Sequence, residues 1–472
     1  MNAAKPRSEL KWGYFAQALN IGAGLLLLPA VVRSLPSEDV GIWFVFMTLT
    51  SLAQLLELGF LPTIARNTAY LFAGARSLAG HGLPTDMHTS GQVDPGLLAD
   101  LTQAARRIYR WVALLGGLIL MSVGSLYVLS VMTPTQDRGM VLGAWWLYAA
   151  GNICNFYYGY VNGLLQGRGD VVAANQVVIV TRASMLAAGI LALSAGGGLL
   201  GLGAATFLAS VSGRFVAMRF FRRGAIALPE RSRESIQHTV QLLWHNASRL
   251  GVVQVGAFLI QRANVLVASS FLGVSAAASL GLTVTLLMTL SGVAAVILQV
   301  RMPRLASAQA TRDIHALRGL YGEVLLIACG AFLAGLLVMI VAGNWCLQLL
   351  HSKTLLLPTP LLCWLGLIML LELNHSLAAG YLTTRNQVPF VRAGLLSGVL
   401  ICLSSLALVK PFGVAGLIAA QGVVQLAYNN WKWPREARLD LGVGWLELLS
   451  LGFQRILGRR HPHADDPQNV RP

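Results

Sequence analysis

An all-α polytopic membrane protein, with about twelve transmembrane helices in two six-helix lobes around a central cleft, is the fold class this sequence predicts. Three observations predict it. Hydrophobic residues make up 55% of the 472 residues and charged residues only 11%, outside the range of soluble globular chains. The apolar residues gather in runs long enough to cross a hydrocarbon core of roughly 30 Å. The cations between those runs alternate in abundance from one connection to the next.

The first span, Tyr14 to Val32, follows the basic flank Lys5, Arg7 and Lys11 and lacks a small-x-small cleavage site, so it reads as a retained helix and not a removed signal peptide. The second is Val40 to Phe60. A long connection, 61–108, follows, with the Gly-, Pro-, His-, Asp- and Ser-rich stretch Gly80 to Gly96 as a solvated connector. Four more spans complete the first half: Tyr109 to Val131, Val141 to Gly163, Val171 to Leu193 and Leu199 to Met218. The second half holds Val240 to Val267, Val274 to Leu298, Leu320 to Val341, Leu357 to Ala379, Phe390 to Leu408 and Val414 to Trp431. Beyond them Trp445, Leu448, Leu449, Phe453, Ile456 and Leu457 form an apolar stripe at helical spacing with Arg455, Arg459 and Arg460 nearby, the pattern of an interfacial helix.

An internal repeat sets the domain organisation. The turn Gly163 to Val171 shares Gly, Leu, Arg and Val positions with the turn Gly380 to Val388, and Leu61 to Ala65 is echoed more weakly by Met302 to Ala306. Six spans separate the members of each pair, so the halves share one orientation and would be related by an axis along the membrane normal. The expected division is an N-terminal lobe at 1–225, a C-terminal lobe at 226–435 and a tail at 436–472.

The formal charge of +16 follows topology. Lys5 to Lys11, Arg66 to Arg110, Arg168, Arg219 to Arg233, Arg301 to Arg318, Arg385 and Lys432 to Arg438 fall on one side, and Arg33, Arg138, Lys353 and Lys410 on the other. This positive-inside bias puts both termini in the cytoplasm. No basic run is interleaved with aromatics outside the spans, so a nucleic-acid partner is not expected. The five cysteines, Cys154, Cys329, Cys346, Cys363 and Cys402, lack CxxC spacing, which points to neither a disulfide framework nor a metal site. HExxH, GxSxG and Walker motifs are missing and the outer connections are short, which tells against a membrane glycosyltransferase or polysaccharide polymerase.

Function should reside in polar residues placed within apolar spans, because a charge at the centre of a spanning helix costs roughly 2.5–3.5 kcal/mol on insertion scales. Arg182 lies near the middle of the fifth span with no acidic residue in that run, and Asn175 shares its face, since residues seven apart differ by about 20° around a helix. Gln254 and Gln261 repeat that spacing in the seventh span, next to Arg262, with Arg249 in the other half of the span. Gln17 and Asn20 share a face of the first span, Gln54 and Glu57 a face of the second. Two readings stand for Arg182 and Arg262, with Arg249 reaching toward the same interface: they bind an anionic group in the cleft, guanidinium forks being matched to phosphate oxygens, or they pair internally with Glu57 or Glu372. Those two carboxylates are equally candidates for proton or sodium coupling; no other cofactor is implied.

The stretch Leu35 to Trp43, its continuation Leu52 to Arg66, and the segments Arg66 to Tyr70 and Arg107 to Tyr109 resemble the Wzx-type O-antigen flippases of the multidrug/oligosaccharidyl-lipid/polysaccharide (MOP) exporter superfamily. That resemblance implies alternating access without ATP in the bacterial inner membrane. The implied substrate is an undecaprenyl-pyrophosphate-linked oligosaccharide, handed on to polysaccharide polymerase and chain-length machinery. In the seventh span, where many relatives carry an acidic residue, this chain has Gln261 and Arg262. A drug or metabolite exporter of the same superfamily is the alternative. Pro29, Gly22, Gly24, Gly251 and Gly256 would let the first and seventh helices bend.

Overall fold

A computed structural model describes residues 6–57, 59–78, 93–223, 228–310, 312–384 and 390–457. Most of Gly80 to Gly96, Arg385 to Val388 of the second repeat turn, and Arg459 and Arg460 lie outside the described residues. The chain is built of helices: α1 (Pro6–Ser34), α2 (Ser37–Gln54), α3 (Phe60–Phe72), α4 (Pro95–Ile119), α5 (Ser125–Val131), α6 (Arg138–Gly167), α7 (Val171–Ser194) and α8 (Gly198–Arg223) come first. They are followed by α9 (Arg233–Gln261), α10 (Ala263–Phe271), α11 (Val274–Ala310), α12 (Ile314–Leu349), α13 (Thr359–Thr383), α14 (Val391–Ala427), α15 (Asn429–Leu441) and α16 (Trp445–Ile456).

Among the described residues every expected span is mainly helical. Nine helical stretches among the described residues are long and apolar enough to cross a membrane by length and composition. The remaining spans differ for identifiable reasons. α6 is diluted by Asn152, Asn155, Asn162 and four tyrosines, and α9 by glutamines and arginines. The last two spans run together as α14, broken where Gly413 takes φ 57° and ψ −138°, a left-handed conformation that strains any residue with a Cβ. The seventh span breaks at Arg262, which joins α9 to α10 with φ −121° and ψ −29°, and not at the expected Gly251 or Gly256. Part of the connection expected at 61–108 is helical too, as α3 and the start of α4.

Local chemistry explains where the helices start. The Asp94 side chain accepts from the backbone N–H of Gly96 (2.7 Å) and Leu97 (3.2 Å) and Pro95 opens α4, while Asp137 accepts from Met140 N–H at 2.9 Å to start α6. Ser232 caps α9 through Ser235 N–H at 3.2 Å. Gly59, with φ 79°, turns the chain from the 3-10 turn Leu55–Glu57 into α3.

Two compact units result, Met1–Gly281 with Leu347–Leu355, and Leu282–Cys346 with Leu356–Pro472. In the first, α6, α7 and α8 pack side by side and α1 lies along α7. Small residues permit this: a Cβ at Gly203 would collide with the Ala144 carbonyl of α6, and one at Gly213 with Thr181 of α7. An aromatic cluster fills the space between α2 and α6, with Trp43 edge-on to Tyr148 at 5.2 Å and Phe46 against Trp145 at 5.0 Å. In the second unit α13, α14 and α15 pack together, Tyr321 meets Tyr381 at 4.9 Å, and the Tyr381 hydroxyl donates to Asp440 at 2.7 Å. Here α16 sits on α12 through the close approach of Gly452 and Gly322. Leu448 is buried against the unit, and Trp445, Leu449, Phe453, Ile456 and Leu457 remain exposed.

Large apolar side chains point outward along the spans, among them Leu118 (66% exposed), Leu126 (68%) and Val341 (74%). Among spans of this length such a surface is stable against lipid and not against water. The protein is a membrane protein.

Candidate functional site

The first unit holds an open cavity of about 320 Å³ bordered by α1, α2, α3, α4, α6, α7 and α8. Polar side chains from Asn20, Gln54, Glu57, Tyr109, Asn152, Asn155, Asn162, Thr181, Arg182 and Arg214 line it together with Leu61, Phe156, Gly159 and Val178.

Arg182 enters from α7, and its Nε donates to Asn20 Oδ1 of α1 at 2.9 Å. Two turns earlier, the space a Cβ would take at Gly13 lies 3.7 Å from Asn175 Nδ2. The polar face expected on α7 therefore runs along α1, with matched seven-residue steps. The Arg182 bond goes to an amide, and no bond to Glu57 or Glu372 accompanies it among the described residues.

Arg214 enters from α8, one residue beyond the Gly213 contact that holds α8 against α7. Its Nε is buried with no hydrogen-bond partner among the described residues, as are Asn155 Oδ1 and Asn162 Oδ1. Buried polar atoms are normally satisfied, so three orphans around one cavity mark a place built for polar contents. The opposite end of the Asn155 amide is fixed, Nδ2 donating to Ser210 Oγ at 2.8 Å, and Asn152 Nδ2 donates to the Tyr148 carbonyl at 2.9 Å.

Glu57 is the cavity's acidic member. Its carboxylate accepts a short hydrogen bond from the Tyr109 hydroxyl, and Arg214 is an electrostatic neighbour. The Tyr109 ring reaches it across Gly159, where a Cβ would lie 2.5 Å from Tyr109 Cε1.

The other sequence candidates lie elsewhere. Arg262, at the α9–α10 break, is not among the cavity-lining residues, but buried Tyr148 of α6 is an electrostatic neighbour of both Arg182 and Arg262. Gln17 of α1 and Gln254 and Gln261 of α9 are exposed and also outside the lining. The Arg249 side chain lies outside the described residues. Glu372 is buried in the second unit on α13, where its Oε1 accepts from Gln421 Nε2 of α14 at 2.7 Å.

Sequence reasoning missed Arg214 and the asparagines of α6. The signal was present in the spacing of Asn152, Asn155 and Asn162 along a single helical stripe, and in an arginine four residues inside the expected end of the sixth span.

No protein-family model matches the sequence, and no curated protein matches it. Solved structures do. An inward-facing multidrug resistance MATE family transporter of the MOP superfamily is similar over 90% of this chain and 94% of its own, with a TM-score of 0.65 and 15% identity. The lipid II flippase MurJ, in an inward closed conformation, is similar over 95% and 90% with a TM-score of 0.62 and 10% identity. The MATE multidrug transporter DinF-BH gives 95% and 98%, 0.59 and 14%.

The chain has the fold of the MOP-superfamily transporters. In those transporters the fold has twelve helices in two lobes, the number of spans expected from the sequence. The neighbours are transporters and a flippase, and none of these three is named as an enzyme.

Proposed function

We propose that the protein flips an undecaprenyl-pyrophosphate-linked oligosaccharide, the repeat unit of an O-antigen or exopolysaccharide, from the cytoplasmic to the periplasmic leaflet of the bacterial inner membrane. The observation that carries this reading is the charge balance of the cavity. Arg182 and Arg214 face it with one carboxylate, Glu57, already engaged by Tyr109. A guanidinium pair recognises phosphate oxygens, and the Asn152, Asn155 and Asn162 amides suit sugar hydroxyls. An exporter of cationic drugs calls for the opposite balance.

In this reading Arg182 and Arg214 bind the pyrophosphate, with Asn20 and Asn175 ordering the α7 face. Arg262, Arg249, Gln254, Gln261 and Gln17 line the sugar path in another state of the cycle, and Glu57 or Glu372 couples transport to protons or sodium. Residues 1–225 and 226–435 act as the two lobes of alternating access, and α16 lies on the inner leaflet with both termini cytoplasmic. The product would pass to polysaccharide polymerase and chain-length machinery.

The deciding experiment replaces Arg182 or Arg214 by Ala in cells and measures surface polysaccharide alongside the amount of protein in the membrane. Loss of polysaccharide at normal protein level is expected, with partial rescue by Lys because the fork geometry is lost. Normal polysaccharide in both Ala variants overturns the reading.

A further inference from the structure

Arg214 lines a second hollow as well as the cavity. This hollow, about 620 Å³, is formed by Cys154 and Tyr158 of α6 and by the α8 face that carries Val211, Phe215 and Met218. Arg219, Arg222 and Arg223 complete it. At 1.5 Å per residue the arginines run from Arg214 to Arg223 over about 13 Å of helix. No lining residue is acidic, and no carboxylate among the described residues pairs with Arg219, Arg222 or Arg223.

The apolar side of the hollow faces outward, with Val211 40% and Phe215 67% exposed within a spanning helix, so it borders hydrocarbon. The end of α8 is held firm. Arg168, neutralised by Asp170, donates to the Phe220 and Phe221 carbonyls at 3.2 and 3.4 Å. Asp170 thus neutralises Arg168, and Arg219, Arg222 and Arg223 make no ion pair with a carboxylate among the described residues.

We propose that this hollow admits the headgroup of a polyprenyl diphosphate sideways from the bilayer, and that Arg214 passes it from the hollow into the cavity. The inference rests on the flippase reading above and adds the route. An ordinary phospholipid brings one phosphate to four guanidiniums, whereas a diphosphate brings two linked phosphates that span neighbouring arginines. The isoprenoid tail stays in lipid against Val211 and Phe215. The buried, unpartnered Arg214 Nε provides the first polar contact beyond the hollow.

Cys154, in the wall of the hollow, reports occupancy. The full chain is placed in phosphatidylcholine nanodiscs and treated with N-ethylmaleimide, and modification of the Cys154 peptide is followed by mass spectrometry. The probes are undecaprenyl diphosphate, phosphatidylglycerol and inorganic pyrophosphate. Undecaprenyl diphosphate is expected to slow Cys154 modification at least five-fold. Arg219→Ala with Arg222→Ala should cut that protection below two-fold at the same concentration, and Arg182→Ala, confined to the cavity, should keep it. Equal protection by phosphatidylglycerol or by inorganic pyrophosphate, protection that survives the double variant, or no protection at all overturns the proposal. The flippase reading is judged separately by the surface polysaccharide of Arg182→Ala, so a flippase that fails the Cys154 test admits its substrate by another route.

Discussion

Arg182 Nε is hydrogen-bonded to Asn20 Oδ1 at 2.9 Å, so a neutral amide on α1 orients the guanidinium of α7 without cancelling its charge. A hydrogen bond to a charged group contributes about 1.5–3 kcal/mol. Asn20→Ala therefore leaves Arg182 charged but loosely held, and affinity for undecaprenyl diphosphate should fall about tenfold, roughly 1.4 kcal/mol. Asn20→Asp places a carboxylate against the same guanidinium. It should abolish polysaccharide export while leaving the melting temperature unchanged or higher. Binding of a fluorescent polyprenyl diphosphate and a thermal melt in detergent check both outcomes.

The proposed role of Arg214 comes at a cost to stability, because its buried Nε bonds nothing among the described residues. Replacing a buried, poorly satisfied charge with an apolar side chain of similar length is often neutral or stabilising by about 1–4 kcal/mol. Arg214→Met should therefore lose transport and raise the melting temperature by a few degrees. A fall in melting temperature would show that Arg214 supports the packing of α8 and is not reserved for a ligand.

The helices were legible because lipid imposes one strong rule: every spanning segment must be apolar and internally hydrogen-bonded. That rule located the α14 break between Leu408 and Val414, where the backbone turns at Gly413. The site was legible only in part. Arg182 stood out because its span has no other charge, and its partner Asn20 lay on the polar face expected of the first span. Arg214 was hidden by its nearness to Arg219, Arg222 and Arg223, which any positive-inside count assigns to the membrane surface. The Glu57–Tyr109 bond joins residues 52 apart and depends on the missing side chain of Gly159, which no single-span pattern encodes.

Glu372 and Glu57 should separate under substitution. Glu372 is 5% exposed, with a neutral donor, Gln421, and no ion pair among the described residues. A carboxylate in that setting is stable when protonated or when a cation sits beside it. Glu372→Gln keeps an acceptor for Gln421, so the protein should fold normally, yet transport in vesicles should lose its dependence on an imposed ion gradient. Glu57→Gln, in the cavity, should keep that dependence and bind the diphosphate more tightly, one negative charge having been removed from beside the arginines. The reverse pattern would move coupling to Glu57.

Glu323 of α12 ties three helices together. Its carboxylate is buried between Arg301 of α11, which makes a short ion pair with it, and Arg455 of α16, whose Nε lies 3.2 Å from Oε2. The structure makes Glu323 the anchor of α16, next to the Gly322–Gly452 contact. Breaking a buried pair costs about 3–5 kcal/mol, and partial exposure of both arginines brings the expected loss for Glu323→Ala to about 2–3 kcal/mol. The loss should be local. Amide exchange should rise in 445–456 before it rises in α13, and a protease should cut near 442–444. Because no α16 residue lines the cavity, diphosphate binding should fall by less than two-fold at a temperature where the variant is still folded. A Glu323→Ala protein that loses binding in proportion to stability would show instead that α16 is part of the transport machinery.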